Sequence, residues 1–155
     1  MFHLVLYRPE IPANTGNICR TCAVTGTVLH LIKPLGFSLE DKYLRRAGLD
    51  YWDLLDVRLH DSLADFLSVL GQGRLWLLET GGERRYDQVA YRDGDFLLLG
   101  QETKGLPREL LERFAGQAAR VPMRPHPKAR CLNLSNTAAL VLFEALRQTG
   151  FPGLT

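Results

Sequence analysis

The sequence predicts an α/β fold, a mostly parallel β-sheet flanked by helices, in a single domain over residues 1–155. Apolar runs of strand length alternate along the chain with segments of helical periodicity, and turn or capping residues separate them. No internal repeat, low-complexity tract or linker interrupts this alternation. A chain of 155 residues is long enough for one hydrophobic core. In such sheets ligands bind beyond the carboxyl ends of the strands, where this chain places its polar clusters.

The first half of the chain predicts strands and helices in strict alternation. Its strands are apolar runs of four to six residues, at Phe2–Tyr7, Val28–Ile32 and Val57–His60. Each helix follows a Ser, Thr or Asn and stops at a glycine: Thr15–Thr25 before Gly26, Leu39–Ala47 between Ser38 and Gly48, and residues 63–70 between Ser62 and Gly71.

The second half continues the same alternation up to the end of the chain. Its predicted strands are Leu75–Glu79, Phe96–Gly100 and Ala119–Met123. The helix Pro107–Phe114 opens with proline, which is favoured at the first helical position, and precedes Gly116. The last helix spans Asn136–Thr149, and its apolar residues fall on one face: Ala138, Val141, Leu142, Ala145 and Leu146.

Composition excludes several classes of protein. The formal net charge is only +2, so any nucleic-acid contact must come from local basic patches. Three cysteines in no regular pattern argue against a disulfide framework. Cys19 and Cys22 form a CxxC pair inside a predicted helix, without a second pair at zinc spacing, and we interpret them as core thiols with no metal role. No apolar run reaches membrane-spanning length, and the N-terminal run is too short for a signal peptide, so we expect a cytoplasmic protein.

The first segment that carries chemistry is Asn14–Cys22, which follows a strand and opens a helix. Asn14 or Thr15 can cap this helix, and Gly16 permits a ligand to approach the backbone closely. Helix N-terminal N–H groups attract anions, and Arg20 adds a positive charge about a turn later. The segment therefore fits a contact with ribose or phosphate, although a polar cap with a solvated arginine would have the same sequence.

Two further segments have the same character. In Gly100–Pro107 a buried strand leads into a loop with glycines at both ends and Glu102 as an acceptor, without a Walker A or GxGxxG pattern. A plain turn between strand and helix is the alternative there. In Arg130–Ala139, two asparagines and a serine precede an apolar helix, which is one amide more than a helix cap needs.

Together these segments resemble the SPOUT superfamily of RNA methyltransferases, and most strongly its small branch that 2′-O-methylates wobble nucleotide 34 of tRNA. The resemblance covers nearly the whole chain. Its motifs follow one another in the family order: PANTGNICRTCAVTG at Pro12–Gly26, RAGLDYW at Arg46–Trp52, GQETKGLP at Gly100–Pro107 and LNLSN at Leu132–Asn136.

The resemblance implies a fold whose carboxyl-terminal segment forms a deep trefoil knot, a rare exception to the usual connection rules. It also implies a homodimer whose active sites draw groups from both subunits. S-adenosylmethionine would be held by three loops, Leu78–Thr80, Gly100–Gly105 and Val121–Leu132. The cofactor-binding positions implied by motif are Leu78, Thr80, Gly100, Val121, Met123, Cys131 and Leu132.

The resemblance assigns the catalytic task to Arg20. Methyl transfer requires a ribose 2′-oxygen in line with the methyl–sulfur bond, and proton removal from that hydroxyl. Because an arginine stays protonated in proteins, we interpret Arg20 as gripping the adjacent phosphate and orienting the hydroxyl. The predicted supporting residues are Asn14, Glu102, Ser135 and Asn136; Glu102 serving only to tie down its own loop is the alternative.

The implied substrate is the anticodon stem-loop of tRNA, which requires positive charge near the pocket. The candidate phosphate contacts are Arg45, Arg46, Arg84, Arg85, Arg120, Arg124, His126, Lys128 and Arg130. Tyr51 and Trp52 could stack on bases, but we expect them in the core. His3, His30 and His60 are interpreted as structural.

The chain departs from the family pattern at a few positions. Cys131 replaces the usual serine, Phe143 replaces a frequent tyrosine, and the loop Met123–Arg130 is longer and richer in proline. The alternative functions are a methyltransferase acting on another tRNA or rRNA ribose, a catalytically silent RNA-binding module of the same fold, and an unrelated nucleotide-binding protein of the flavodoxin type.

Overall fold

The computed structural model describes residues 1–40 and 49–155, which form a seven-stranded sheet. Its strands are β1 His3–Tyr7, β2 Val28–Ile32, β3 Val57–His60, β4 Leu75–Leu78, β5 Arg84–Arg85, β6 Phe96–Leu99 and β7 Ala118–Arg120. They lie in the order β3-β2-β1-β6-β4-β7-β5, and the neighbouring strands pair in parallel throughout. The predicted mostly parallel sheet is confirmed.

The helices of the described residues alternate with these strands. They are α1 Pro12–Thr25, α2 Leu63–Leu70, α3 Arg108–Arg113 and α4 Leu134–Gln148, with short 3-10 turns at Leu49–Leu54 and Tyr86–Gln88. The helix predicted over Leu39–Ala47 falls largely on residues 41–48, outside the described residues. None of the helices in the described part of the chain has the length and apolar character needed to cross a membrane.

Two helices begin earlier than the sequence predicts. Helix α1 begins at Pro12, three residues before the predicted start, so neither Asn14 nor Thr15 caps it. Ile11 occupies the cap position without a side-chain hydrogen bond. Helix α4 begins at Leu134, because Asn133 and not a later residue supplies the capping side chain. The two errors have different causes. In α4 several residues are good caps and the sequence does not choose among them, whereas the cap position of α1 holds Ile11, which no capping pattern predicts.

Strand β7 is shorter than the sequence predicts, and the sequence pattern does not predict strand β5. The chain leaves the sheet after Arg120, so Val121–Met123 belong to a loop and not to the predicted strand. Arg84–Arg85 pairs with β7 at the edge of the sheet, where a two-residue polar strand carries no apolar pattern to predict it.

Helices cover both faces of the sheet. On one face α1 and α4 pack on strand residues that include Leu4 and Leu6, and on the other α2 and α3 pack on residues that include Val5. This alternation follows from the period of two along each strand. The predicted apolar face of α4 is confirmed, because all of its members are buried: Ala138, Val141, Leu142, Ala145 and Leu146.

The strand order determines where a ligand can bind. From β1 the chain runs outward through β2 and β3, then returns to build the other half of the sheet, so that β6 lies beside β1. The carboxyl ends of β1 and β6 lie side by side, and the connections that leave them run to opposite faces of the sheet, which opens a crevice at that edge. The segments after Tyr7, Leu78 and Leu99 all reach this edge, as the sequence predicts.

A row of three histidines crosses β1, β2 and β3 on the face covered by α2. Nδ1 of His3 lies 3.0 Å from Nε2 of His30, and Nδ1 of His30 lies 2.8 Å from Nε2 of His60. Phe66 and Phe96 pack against these rings. Burial lowers the pKa of His30 to about 3, and it also lowers the pKa of His3 and His60. The histidines are structural, as predicted, and they are held in the neutral form.

This row predicts a loss of stability in mild acid. Because the unfolded histidines titrate near pH 6.5 and the folded ones lower, the unfolded chain binds more protons below pH 6.5. The contribution of the neutral histidines to the free energy of unfolding is fully present above pH 6.5. As the pH falls below 6.5, this contribution decreases by up to about 1.4 kcal/mol per pH unit for each additional proton that the unfolded chain binds. Urea unfolding measured between pH 6.5 and 5, above the range where carboxylates titrate, should show this fall.

The exposed loop residue His126 supplies the control. A His126→Ala variant should lose stability over the same pH range by the same amount as the unmodified protein. A free energy of unfolding that stays constant from pH 6.5 to 5 would contradict the histidine assignment.

Candidate active site

A cavity of about 700 Å³ opens at the carboxyl ends of β4, β6 and β7. Its wall consists of the loops that follow these strands, together with the first residues of α1 and α4. All of the positions predicted to contact a cofactor lie in this wall: Leu78, Thr80, Gly100, Val121, Met123, Cys131 and Leu132. Asn14 and Glu102 also line it, whereas Arg20, Ser135 and Asn136 do not.

The cavity suits a nucleoside with a charged tail. Its volume lies within the range of small-molecule sites, about 300–1,000 Å³. Leu78, Leu99 and Val121 give an apolar surface to part of the wall, and Gly100 leaves backbone without a side chain there. Lys104 and Arg130 bring positive charge to the same wall. Since Glu79 and Glu102 lie in the same wall, the lining fits a ligand that combines a flat apolar group with charged groups of both signs.

Two glycines shape the loop after β6. Gly105 has φ +67°, and its N–H donates to the carbonyl of Gln101 at 3.1 Å, which folds the loop back on itself. A Cβ on Gly100 would lie 2.6 Å from the carbonyl carbon of Gly105, so only glycine fits that position. Glu79 holds the far end of the loop by accepting from the N–H of Leu106 at 3.3 Å.

Glu102 binds the start of α1. Its carboxylate accepts from the N–H of Glu10 at 2.9 Å, from the N–H of Ile11 at 3.1 Å and from Nδ2 of Asn14 at 3.4 Å. These contacts hold the two residues that precede Pro12, the first residue of α1, and they place a negative charge where the helix dipole favours one. These contacts join Glu102 to another segment of the chain, so the alternative in which Glu102 ties down only its own loop is wrong.

Asn133 is the site residue that sequence reasoning missed. Its Nδ2 donates to Oδ1 of Asn14 at 2.9 Å, while its own Oδ1 accepts from the N–H of Ser135 at 2.9 Å and from the Ser135 hydroxyl at 2.7 Å. The N–H of Asn136 donates to the same oxygen at 3.2 Å. The signal for it is the pair of asparagines in this segment, Asn133 and Asn136, of which the sequence prediction assigns only the later one to the site.

A continuous polar chain results from these contacts. It runs from Glu102 through Asn14 and Asn133 to Ser135, and so joins the loop after β6 to the N-termini of α1 and α4. Ser135 is buried within this chain and Asn136 is exposed. The two residues therefore shape the cavity through Asn133, and they do not line it.

Arg20 lies outside the cavity wall, on the exposed side of α1. Its guanidinium carbon lies 5.1 Å from the ring centroid of Tyr51. Tyr51 is half-buried and packs against this arginine, so the expectation of a core tyrosine is wrong; the side chain of Trp52 lies outside what the structure describes. Cys19 and Cys22 are buried in the core, where burial raises the pKa of Cys19 to about 12.

Several of the candidate phosphate contacts are engaged elsewhere. Arg120 donates to the carbonyls of Gly82 and Glu83, and Arg85 pairs with Asp87. Arg45 and Arg46 lie outside the described residues. The loop after β7 retains four exposed cationic or titratable side chains: Arg124, His126, Lys128 and Arg130. Within the described part of the chain, none of the four forms an ion pair.

A parallel sheet with a loop-lined cavity at its carboxyl edge defines an α/β protein of the class that binds ligands beyond the carboxyl ends of its strands. The comparisons specify the family: residues 1–143 match the model described as the SpoU rRNA Methylase family, and the chain belongs to that family.

A curated relative from Methylovorus glucosotrophus, named tRNA (cytidine(34)-2′-O)-methyltransferase, is 50% identical over 99% of both chains. A solved structure described as giving structural insights into the 2-OH methylation of C/U34 on tRNA superposes with a TM-score of 0.91, at 49% identity and 97% coverage of each chain. An AdoMet-bound rRNA methyltransferase from Sinorhizobium meliloti has a TM-score of 0.83 at 28% identity, over 94% of this chain and 56% of that one.

Proposed function

We propose that this protein is an S-adenosylmethionine-dependent tRNA methyltransferase that modifies the ribose 2′-hydroxyl of wobble nucleotide 34. The observation that carries the proposal is the cavity, which unites Asn14, Glu102 and the seven motif positions in one wall. Full-length similarity to relatives with this named activity supports the same conclusion. The proposal treats residues 1–155 as one domain in the cytoplasm, where tRNA is available.

S-adenosylmethionine would be held by the three loops after β4, β6 and β7. The apolar side chains Leu78, Val121 and Leu132 would face its base, and Gly100 would give its ribose access to backbone. Lys104 or Arg130 would balance its carboxylate. When bound, the cofactor supplies an electrophilic methyl group on sulfur, so the protein needs to supply only position and charge.

The role we propose for Arg20 is to grip a phosphate of the substrate and orient the 2′-hydroxyl. A guanidinium offers a planar fork of donors that matches a phosphate, but it does not accept a proton. The ring of Tyr51 beside Arg20 restricts its rotamers and so prepares that orientation. Asn14 and Glu102 would fix the helix from which Arg20 projects.

We also propose a homodimer. Helices α1 and α4 pack together, and their outer faces carry apolar side chains that are 38–50% exposed: Val24, Leu140 and Phe143. An exposed apolar face of this kind is typical of a subunit interface. Arg20 lies on the same exposed side of α1 and outside the cavity of its own protomer. A second copy on this face would let Arg20 serve the partner's cavity.

The knotted connection is part of the proposal. From β7, in the half of the sheet away from β1, the chain crosses back as residues 121–133 to reach α4, which packs against α1. This crossing passes the loops after β4 and β6 and lines the cavity with them. A trefoil knot would fix that crossing without a covalent link.

The direct test is to incubate the protein with S-adenosylmethionine and bulk unmodified tRNA and to map methylated nucleotides by mass spectrometry. We expect a 2′-O-methyl group at nucleotide 34. Methylation confined to another tRNA position, or to rRNA offered in parallel, would overturn the wobble assignment. Binding of the cofactor product without any methylation would favour a catalytically silent RNA-binding module.

An Arg20→Ala variant should lose methyl transfer by at least about a hundredfold, because a group that orients the nucleophile acts on the rate. Calorimetric affinity for S-adenosylhomocysteine should stay unchanged, since Arg20 does not line the cavity. Arg108→Ala, which removes a surface arginine paired with Glu112, is the matched control and should keep full activity. Activity near the unmodified level in Arg20→Ala would refute the role.

The exposed cations of the loop after β7 predict a salt-dependent contact with RNA phosphates. Removal of Arg124 and Lys128 together should lower tRNA affinity and reduce the slope of log affinity against log salt by about 1.4–1.8, which corresponds to two phosphate contacts. Filter-binding measurements of tRNA affinity at salt concentrations from about 50 to about 200 mM give this slope. S-adenosylhomocysteine affinity should not change.

The control for that experiment is the double variant Arg108→Ala/Arg113→Ala, which removes two exposed cations from α3. It lowers the net charge by the same amount and should leave the slope as it is. An equal effect of both double variants would indicate a general charge effect and would contradict a contact at the loop.

A further inference from the structure

Glu10 and Glu102 form a reciprocal pair of contacts across the crevice, in which the carboxylate of each accepts hydrogen bonds from the segment that contains the other. The Glu102 carboxylate accepts from the backbone N–H groups of Glu10 and Ile11. In return the Glu10 carboxylate accepts from the N–H of Thr103 at 3.0 Å, from the Thr103 hydroxyl at 2.8 Å and from Nε2 of Gln101 at 3.3 Å. Each glutamate thus binds the backbone beside the other, which ties two segments about ninety residues apart in sequence.

The two carboxylates bind different segments of the chain. Glu102 holds the start of α1, as the site geometry requires. Glu10 holds the tip of the loop 100–105, and five residues of that tip line the cavity: Gln101, Glu102, Thr103, Lys104 and Gly105. The base of the loop has its own attachments, since Glu79 binds Leu106 and Gly105 bonds to Gln101. The donors of Thr103 at the tip converge on Glu10.

Glu10 itself is held in a fixed position. The N–H of Gly36 donates to the carbonyl of Pro9 at 2.9 Å, and a Cβ on Gly36 would lie 2.8 Å from Cα of Glu10. The backbone of Glu10 is therefore packed between the segment after β2 and the Glu102 carboxylate. Hydrogen bonds from Thr103 lower the pKa of the Glu10 carboxyl, and the nearby charge of Lys104 acts in the same direction, so the group is a carboxylate at neutral pH.

We propose that Glu10 is a positioning residue that keeps the loop 100–105 in the conformation required to bind the cofactor, and that joins this loop to helix α1. The proposal rests on the proposed function for the identity of the ligand. Glu10 precedes the motif Pro12–Gly26 and does not line the cavity, so it acts through Gln101 and Thr103.

The first test needs no ligand. In Glu10→Gln the amide replaces one acceptor oxygen with a donor facing the Thr103 N–H, so the loop tip should open more often. Hydrogen exchange of a peptide covering residues 100–106 should become about tenfold faster than in the unmodified protein. Glu109→Gln, at an exposed glutamate of α3, is the matched control and should exchange at the original rate. Unchanged exchange in Glu10→Gln would overturn the proposal.

The second test separates this role from a general loss of stability. Glu10→Gln and Thr103→Val should each weaken binding of S-adenosylhomocysteine, by about tenfold for Glu10→Gln. The double variant should lose less than the two single losses combined, because both changes disrupt the bond between the Thr103 hydroxyl and Glu10 while the Thr103 N–H remains in Thr103→Val. The KM for S-adenosylmethionine should rise while kcat at saturation is retained, because bound cofactor restores the loop. Losses that simply add in the double variant, or unchanged affinity in both singles, would overturn the role of Glu10.

The two proposals fail in different ways. If the unmodified protein does not bind S-adenosylhomocysteine, the proposed function fails, and the hydrogen-exchange result alone decides whether Glu10 holds the loop. If the unmodified protein binds and Glu10→Gln binds equally well, only the role of Glu10 fails.

Discussion

The Glu102 carboxylate at the start of α1 is the interaction on which the rest of the site depends. Helix α1 begins with N–H groups that no side chain of its own caps. Leaving such groups unpaired costs about 1 kcal/mol or more, and a carboxylate beside them also benefits from the helix dipole. Because the carboxylate comes from the loop after β6, the helix and the loop take up their positions together. Asn14, Asn133 and Arg20 all depend on that arrangement.

A parallel sheet makes this arrangement possible. The carboxyl ends of its strands lie at one edge, so loops from distant parts of the sequence meet there. The chain uses this edge for three loops and two helix N-termini, and the amides of Asn14 and Asn133 connect the helices directly. The cavity wall and the basic loop after β7 are then attached to the same frame.

The sequence predicted the sheet well and the polar network poorly, for physical reasons. Strands β2 and β3 and helix α2 were predicted at their observed bounds because apolar periodicity and a local cap determine them. Periodicity is a local property, and Ser62 caps α2 from within four residues. The start of α1 depends instead on a carboxylate about ninety residues away, which no local pattern encodes. The same limit explains why Asn133 was missed, since its partner Asn14 lies 119 residues earlier.

The site also shows why a motif locates residues better than it assigns their roles. The resemblance predicted seven cofactor-binding positions, and the fold places all seven around one cavity. The family motifs assigned Arg20, Ser135 and Asn136 to catalysis at the same site, although Arg20 projects from the exposed side of α1 and the other two donate their N–H groups to the Asn133 cap of α4. Arg20 lies outside the cavity of its own chain, on a helix whose outer face is apolar. If a second copy of the chain covers that face, Arg20 can serve the cavity of that copy. The position of Arg20 outside the cavity wall is therefore consistent with the proposed homodimer, in which a second copy would bring this arginine to the partner's cavity.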